Sequence, residues 1–253
     1  MTLPAIGLLS VVTFLPALGA LLILVLVPRR HEAALRWGGL AASVATFAAS
    51  LPLWTRFDAA DADLQFEETL AWMPGLGVGY HLGVDGISVM LVLLTTLLMP
   101  IALASAWHAI EERTKEFMIA MLLLETGMVG VFVSLDLFLF FVFWEAMLIP
   151  MYFVIGVWGG VNRVYAAVKF VLYTMVGSAL MLVAILALYY QHGAATGVYT
   201  FDLPTLTRYV LAPGPAQTLM FLAFALAFAI KVPLFPFHTW LPDAHVRRRR
   251  RAR

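Results

Sequence analysis

Three ionisable residues lie inside stretches otherwise apolar enough for lipid: Glu125 in MLLLETGMVG, Glu145 in FVFWEAMLIPMYF, and Lys231 in AFALAFAIKVPLFPFHTWLPDAH. An ionised side chain facing lipid at mid-membrane costs about 3 kcal/mol, so these three must face one another, protein or water. At 1.5 Å per residue, Glu125 sits about 12 Å in from Phe117, Glu145 about 14 Å in from Asp136 and Lys231 about 20 Å in from Thr218, so all fall in the middle third of a span. Carboxylates and an ammonium at one depth can pair, each offsetting the desolvation that disfavours the other's charge. The chemistry such a set can do is proton transfer.

Lys231 carries a second signal. Pro233 and Pro236 follow it; they remove backbone donors and kink a helix, and unwound backbone at membrane depth is tolerated where it is buried in protein or lines a hydrated cavity. A lysine beside a helix break is the pattern of an ion pathway. Beyond it come His238, Asp243 and His245, whose histidines titrate near neutrality and can pass protons between Lys231 and the inner surface. The competing reading of the Glu and Lys residues is a static ion pair that selects helix register. For Glu125 a plain packing role competes as well, because Thr126, Gly127 and Gly130 mark a close helix contact. His245 also reads simply as a solvated interfacial histidine, as Asp136 and Lys169 read as snorkelling span ends.

The elements that must position these residues follow from composition. The chain is 62% hydrophobic and 12% charged, with mean hydropathy +0.92, far above soluble domains, which makes it a membrane protein. Apolar runs of spanning length occur at about 6–27, 35–54, 87–107, 117–133, 135–158, 166–190 and 218–237. The predicted fold is an all-α polytopic bundle of about seven transmembrane helices, the seventh broken near Lys231. The first run has no positive residue before it and is read as a retained span rather than a signal peptide. Arg29, Arg30, Arg36, Arg113, Lys115, Arg163 and Lys169 fall in one set of alternate loops, against Arg56 and Arg208 in the other. The positive-inside rule then places the N-terminus outside and the C-terminus inside.

Other functions are excluded or weakened. Zero cysteines rule out disulfides, thiolate zinc and a self-contained iron–sulfur cluster. All six histidines lie at span ends or in loops, which argues against a haem-binding bundle. MPGLGVGYHLG contains G-x-G-x-G but not the dinucleotide fingerprint, so it reads as a turn-rich outer cap. FDLPTL, at 201–206, reads as a short interfacial helix. Trp37, Trp54, Trp107, Trp158 and Trp240 read as an aromatic belt. No P-loop, nucleophile–base set or metal cluster appears, and nothing suggests a nucleic-acid partner.

HLGVDGISVML, FVFWEAMLIPMYFVIGVWGG and AFAIKVPLFPFHTWLPDAH together resemble the antiporter-like membrane subunits of respiratory complex I, most closely the subunit M group, whose mitochondrial counterpart is subunit 4. The resemblance implies a proton-translocating NADH:quinone oxidoreductase subunit in the bacterial cytoplasmic (inner) membrane. Its partners would be the other membrane subunits of the complex and the lipid bilayer. NADH, flavin, iron–sulfur clusters and quinone would belong to other subunits, with no cofactor in this chain. It implies that Glu145 and Lys231 form the paired charge whose separation gates proton uptake, that Glu125 is the carboxylate of the fourth span, and that His238 and His245 lie on the central hydrophilic axis. Residues 1–246 then form one transmembrane domain, the first half of such a subunit. The RRRRRAR stretch at 247–253 departs from the family, which continues into about seven further spans; it reads as a truncated or frame-shifted end, or as a polybasic tail on anionic headgroups. A cation/proton antiporter, a hydrogenase membrane arm and a structural anchor with inert buried charges are the alternatives.

Overall fold

The computed structural model describes residues 7–245, so the 247–253 tail lies outside it. The chain divides into two compact units, Met1–Pro74 with Val78–Pro150, and Gly75–Gly77 with Met151–Arg253.

The first unit holds helices α1 (Leu8–Leu26), α2 (Glu32–Thr55), α3 (Gly86–Ser105), α4 (Thr114–Val133) and α5 (Leu137–Ala146), with strands β1 (Gln65–Met73) and β2 (Val78–Val84) between α2 and α3. α1 packs on both α2 and α4, and α2 on α3. Leu9, Leu53, Leu82, Val92, Val129 and Phe143 meet in its core. The helix ends are tied deliberately. Lys115 Nζ donates to the carbonyls of Leu24 and Val27 at 2.8 Å each, satisfying acceptors that α1 leaves open at its C-terminal end. Arg36 does the same for the carbonyls of Trp107 and Ile110 after α3. Cations that the sequence marks as inner-side charge thus also act as helix caps.

The two strands depart from the all-α expectation. They pair antiparallel, Glu68 opposite Leu82 and Leu70 opposite Tyr80, where only a turn-rich cap is expected from sequence. A two-stranded hairpin is marginal alone, and here it is held by the helices. His81 O accepts from Leu135 N at 2.8 Å, and Leu82 bridges Ser134, so the strand is tied to the segment that joins α4 to α5. Gly77 turns the chain with φ 67°, a conformation glycine adopts without a steric penalty.

The second unit holds the rest of α6 (Leu148–Trp158), then α7 (Arg163–Thr196), α8 (Leu203–Thr207), α9 (Pro215–Lys231) and α10 (Trp240–His245). α8 is the short helix expected from FDLPTL, opened by the Asp202 carboxylate accepting from Thr205 N at 3.0 Å. α7 and α9 approach closely at Gly177, where a Cβ would lie 3.2 Å from Ile230 Cδ1. α7 stops at Gly197, left-handed at φ 79°.

Every apolar run read from the sequence contains a helix, although the last run is α-helical only as far as Lys231. Among the described residues, five segments are long and apolar enough to cross a bilayer: α1, α3, α4, α5 with α6, and α7. The chain is a polytopic membrane helix bundle. α2 is long, but Ala, Gly and Ser dilute its hydropathy, and α9 is short at 17 residues.

Candidate functional site

Glu125 and Glu145 lie in the first unit. Glu125 is fully buried on α4, and neither of its carboxyl oxygens has a hydrogen-bond partner. α4 meets the end of α5 through two glycines. A Cβ on Gly127 would lie 2.5 Å from Met147 Cγ, and one on Gly130 would collide with the Phe143 ring. The small residues beside Glu125 are therefore a packing face, as one reading of the sequence has it, and they hold the carboxyl in a tight apolar setting.

Glu145 is the penultimate residue of α5 and is half-buried; its Oε1 is buried without a partner. The helix is interrupted just after it, at Met147. Pro150 supplies the cause: it has no N–H for the carbonyl of Ala146, and its ring crowds that carbonyl. Sequence reading expects a continuous fifth span, and the interruption is a finding of the structure.

Lys231 and His238 lie in the second unit. Lys231 is the last residue of α9. Past it the backbone turns, with Leu234 N donating to Ala229 O at 2.8 Å and Phe237 N to Leu234 O at 2.7 Å. A single 3-10 turn, Phe237–Thr239, leads into α10. His238 on that turn is partly buried, with an unpartnered Nδ1. His245 ends α10, and its side chain lies outside the described residues.

Three residues do more than the sequence suggests. Asp136 is no snorkelling end: it is 2% exposed, its carboxylate caps α5 by accepting from Phe138 N at 2.9 Å and Leu139 N at 3.0 Å, and it also accepts from Gly79 N of β2 at 2.9 Å. Lys169 pairs with Asp243 at 2.8 Å and donates to Thr239 O at 2.8 Å, fastening α10 to α7. Trp240 is buried rather than part of a belt, and its Nε1 donates to Ile230 O at 2.9 Å, a carbonyl left open by the end of α9. The only legible sign of these roles is the position of Asp136 one residue before an apolar run.

On the hairpin side, Glu68 accepts from Leu9 N at 2.6 Å, from Ser10 N at 3.1 Å and from the Ser10 hydroxyl, capping α1 from a distant strand. Ser10 Oγ lies 2.6 Å from the Tyr80 hydroxyl. Burial pushes the Tyr80 phenol up, so it stays protonated at neutral pH. Asp85, the N-cap of α3, is held below the usual carboxylate range chiefly by the Ser88 N–H.

The family model described as NADH:quinone oxidoreductase/Mrp antiporter, TM, matches residues 134–248, and that of the NADH-ubiquinone oxidoreductase chain 4 amino terminus matches residues 68–130. NADH-quinone oxidoreductase subunit M of Rhodobacter capsulatus is 52% identical over 95% of this chain and 48% of its own length. The chain is thus similar to antiporter-like membrane subunits along most of its length. It is also 44% identical to NADH-ubiquinone oxidoreductase chain 4 of Arabidopsis thaliana, over 91% of the chain and 45% of that protein. It spans about half the length of the curated relatives it matches. A chain of respiratory complex I from Thermus thermophilus superposes with a TM-score of 0.80 at 34% identity, covering 94% of this chain and 46% of that one. The Mrp complex of Dietzia shares the fold, with a TM-score of 0.77 at 22% identity over 94% of this chain and 24% of that chain. NADH-quinone oxidoreductase subunit M of Rickettsia conorii is 39% identical over 94% of this chain and 48% of its own length.

Proposed function

We propose that this chain is part of a proton-translocating subunit M of NADH:quinone oxidoreductase, and that it moves protons through Glu145 and Lys231. The observation that carries the residue assignment is that helix geometry fails beside both: α5 stops after Glu145 and α9 stops on Lys231. Broken helices at membrane depth free backbone carbonyls for water and ions. In this reading the span count is seven, with the N-terminus outside, and α9 and α10 are two arms of one interrupted span.

With the pair closed both groups are ionised. When the carboxylate is drawn elsewhere, Lys231 loses its counter-charge and releases a proton. Glu125 holds a proton or a charge at the same depth, and His238 relays toward the inner surface, with His245 after it. Redox energy from other subunits biases the two arrangements. NADH, flavin, iron–sulfur clusters and quinone act in those subunits, with no cofactor held here, and the other membrane subunits are the partners. Identity favours this over a cation/proton antiporter, since the complex I relative is more similar than the Mrp one.

The test is Glu145→Gln in the assembled complex. Proton-coupled quinone reduction should be lost while NADH oxidation by an artificial acceptor stays intact. Unchanged pumping would remove Glu145 from the pathway.

A further inference from the structure

A cavity of about 770 Å³ lies between α1 and the hairpin of the first unit. Its long wall is one stripe of α1, Val11, Phe14, Leu15 and Leu18, faced by Leu70 of β1. Val11, Phe14 and Leu18 are 39%, 43% and 50% exposed, so the trough opens on the lipid-facing side of the helix. Its other end is polar, built from Ser10, Glu67, Glu68 and Tyr80, and among the described residues no Lys or Arg lines it. Glu67 lies 3.1 Å from His81 yet keeps 48% of its side chain exposed.

The shape is that of an amphiphile lying along a helix. From Gly7 to Leu18 the groove runs about 16 Å at 1.5 Å per residue, roughly one leaflet of a 30 Å hydrocarbon core. The groove ends at Leu18, while Leu21, Leu22, Leu24, Val25 and Leu26 of α1 lie exposed beyond it, so an occupant the length of one acyl chain fills it without covering the rest of the helix. Two carboxylates at the polar end repel a purely anionic head group and attract an ammonium.

We propose that this groove binds one phospholipid whose head group carries a primary ammonium, the acyl chain lying along Val11, Phe14, Leu15 and Leu18 and the ammonium donating to Glu67. A quaternary choline has no N–H to donate, so an ethanolamine head is selected over choline with the same chains. The lipid adds a second link between α1 and the hairpin, beside the Glu68 and Ser10–Tyr80 hydrogen bonds and the packing of Leu9 and Val12 against Leu82 and Val84. The site shares no residue with the proton pathway proposed above and does not depend on it.

The full chain is reconstituted in nanodiscs of equimolar phosphatidylethanolamine and phosphatidylcholine with identical acyl chains, and the lipid retained after mild detergent extraction is counted by native mass spectrometry. About tenfold more ethanolamine lipid than choline lipid should remain, a difference of about 1.4 kcal/mol. Leu18→Trp, which fills the trough, should abolish retention, and Glu67→Gln should erase the head-group preference while leaving some retention. If Leu18→Trp does not fold, Leu70→Trp blocks the trough from the strand side. Equal retention of both lipids, a preference that survives Glu67→Gln, or a neighbouring subunit's helix seated in the groove of the assembled complex would overturn the proposal.

Discussion

Glu68 and Glu125 belong to the same unit, and the fold treats them oppositely. Glu68, on a strand, is surrounded by donors: two backbone N–H groups at the start of α1 and the Ser10 hydroxyl. Glu125, in the middle of α4, has no partner for either oxygen. A satisfied carboxylate strengthens the fold, whereas a buried one without donors weakens it by about 1–3 kcal/mol. The first is an anchor. The second makes no hydrogen bond among the described residues that would explain its presence; in the proposed pathway it is a group that changes its proton occupancy.

This contrast can be broken or sharpened by substitution. The largest expected effect is at Asp136, an anchor of the same kind as Glu68. Asp136→Ala removes a helix cap, worth about 1 kcal/mol, and strands the Gly79 N–H, worth about 1–3 kcal/mol. Thermal unfolding in detergent should show a clear fall in midpoint, with the hairpin becoming the first segment to exchange amide hydrogens. Next comes Glu68→Ala, which removes charge-assisted bonds worth about 1.5–3 kcal/mol in total context; protease nicking near residues 60–80 should increase.

A smaller effect is the acid response of Asp85. Its folded carboxyl is lowered, so its contribution is complete above the unfolded value near 3.9 and is lost as pH falls through the lower folded value. The wild-type midpoint should drop between pH 5 and pH 2 by more than that of Asp85→Asn, which caps without titrating. Smallest of all is Glu125→Gln, whose midpoint should match wild type to within about 0.5 kcal/mol, because no hydrogen bond is lost. If Glu125→Gln destabilised as much as Glu68→Ala, the carboxyl would be structural and the contrast would fail.

Much of the site was legible because a charge in lipid is expensive enough to stand out against any apolar run. Glu125, Glu145 and Lys231 announce themselves by cost alone, and Pro233 and Pro236 announce the end of α9. Pro150 was equally visible, yet a proline near the middle of an apolar run does not say whether the helix bends, breaks or re-forms. Here it interrupts the helix at Met147, beside Glu145. The hairpin was hidden for a different reason. QFEETLAWM and VGYHLGV are short and mixed in polarity, the second interrupted by two glycines, and a two-stranded ribbon forms only when other elements hold it.

By itself the sequence determined the solvent of this protein, the positions of its apolar helices and one of its buried charges, Glu125, because hydrophobic transfer and ion desolvation are large and act residue by residue. Which polar groups are satisfied was decided only by tertiary structure. Asp136 reaching β2, Lys169 reaching Asp243, Trp240 reaching the Ile230 carbonyl and Glu68 reaching α1 are long-range bonds of a few ångströms, and a hydrogen bond depends on geometry that residue type and spacing do not specify.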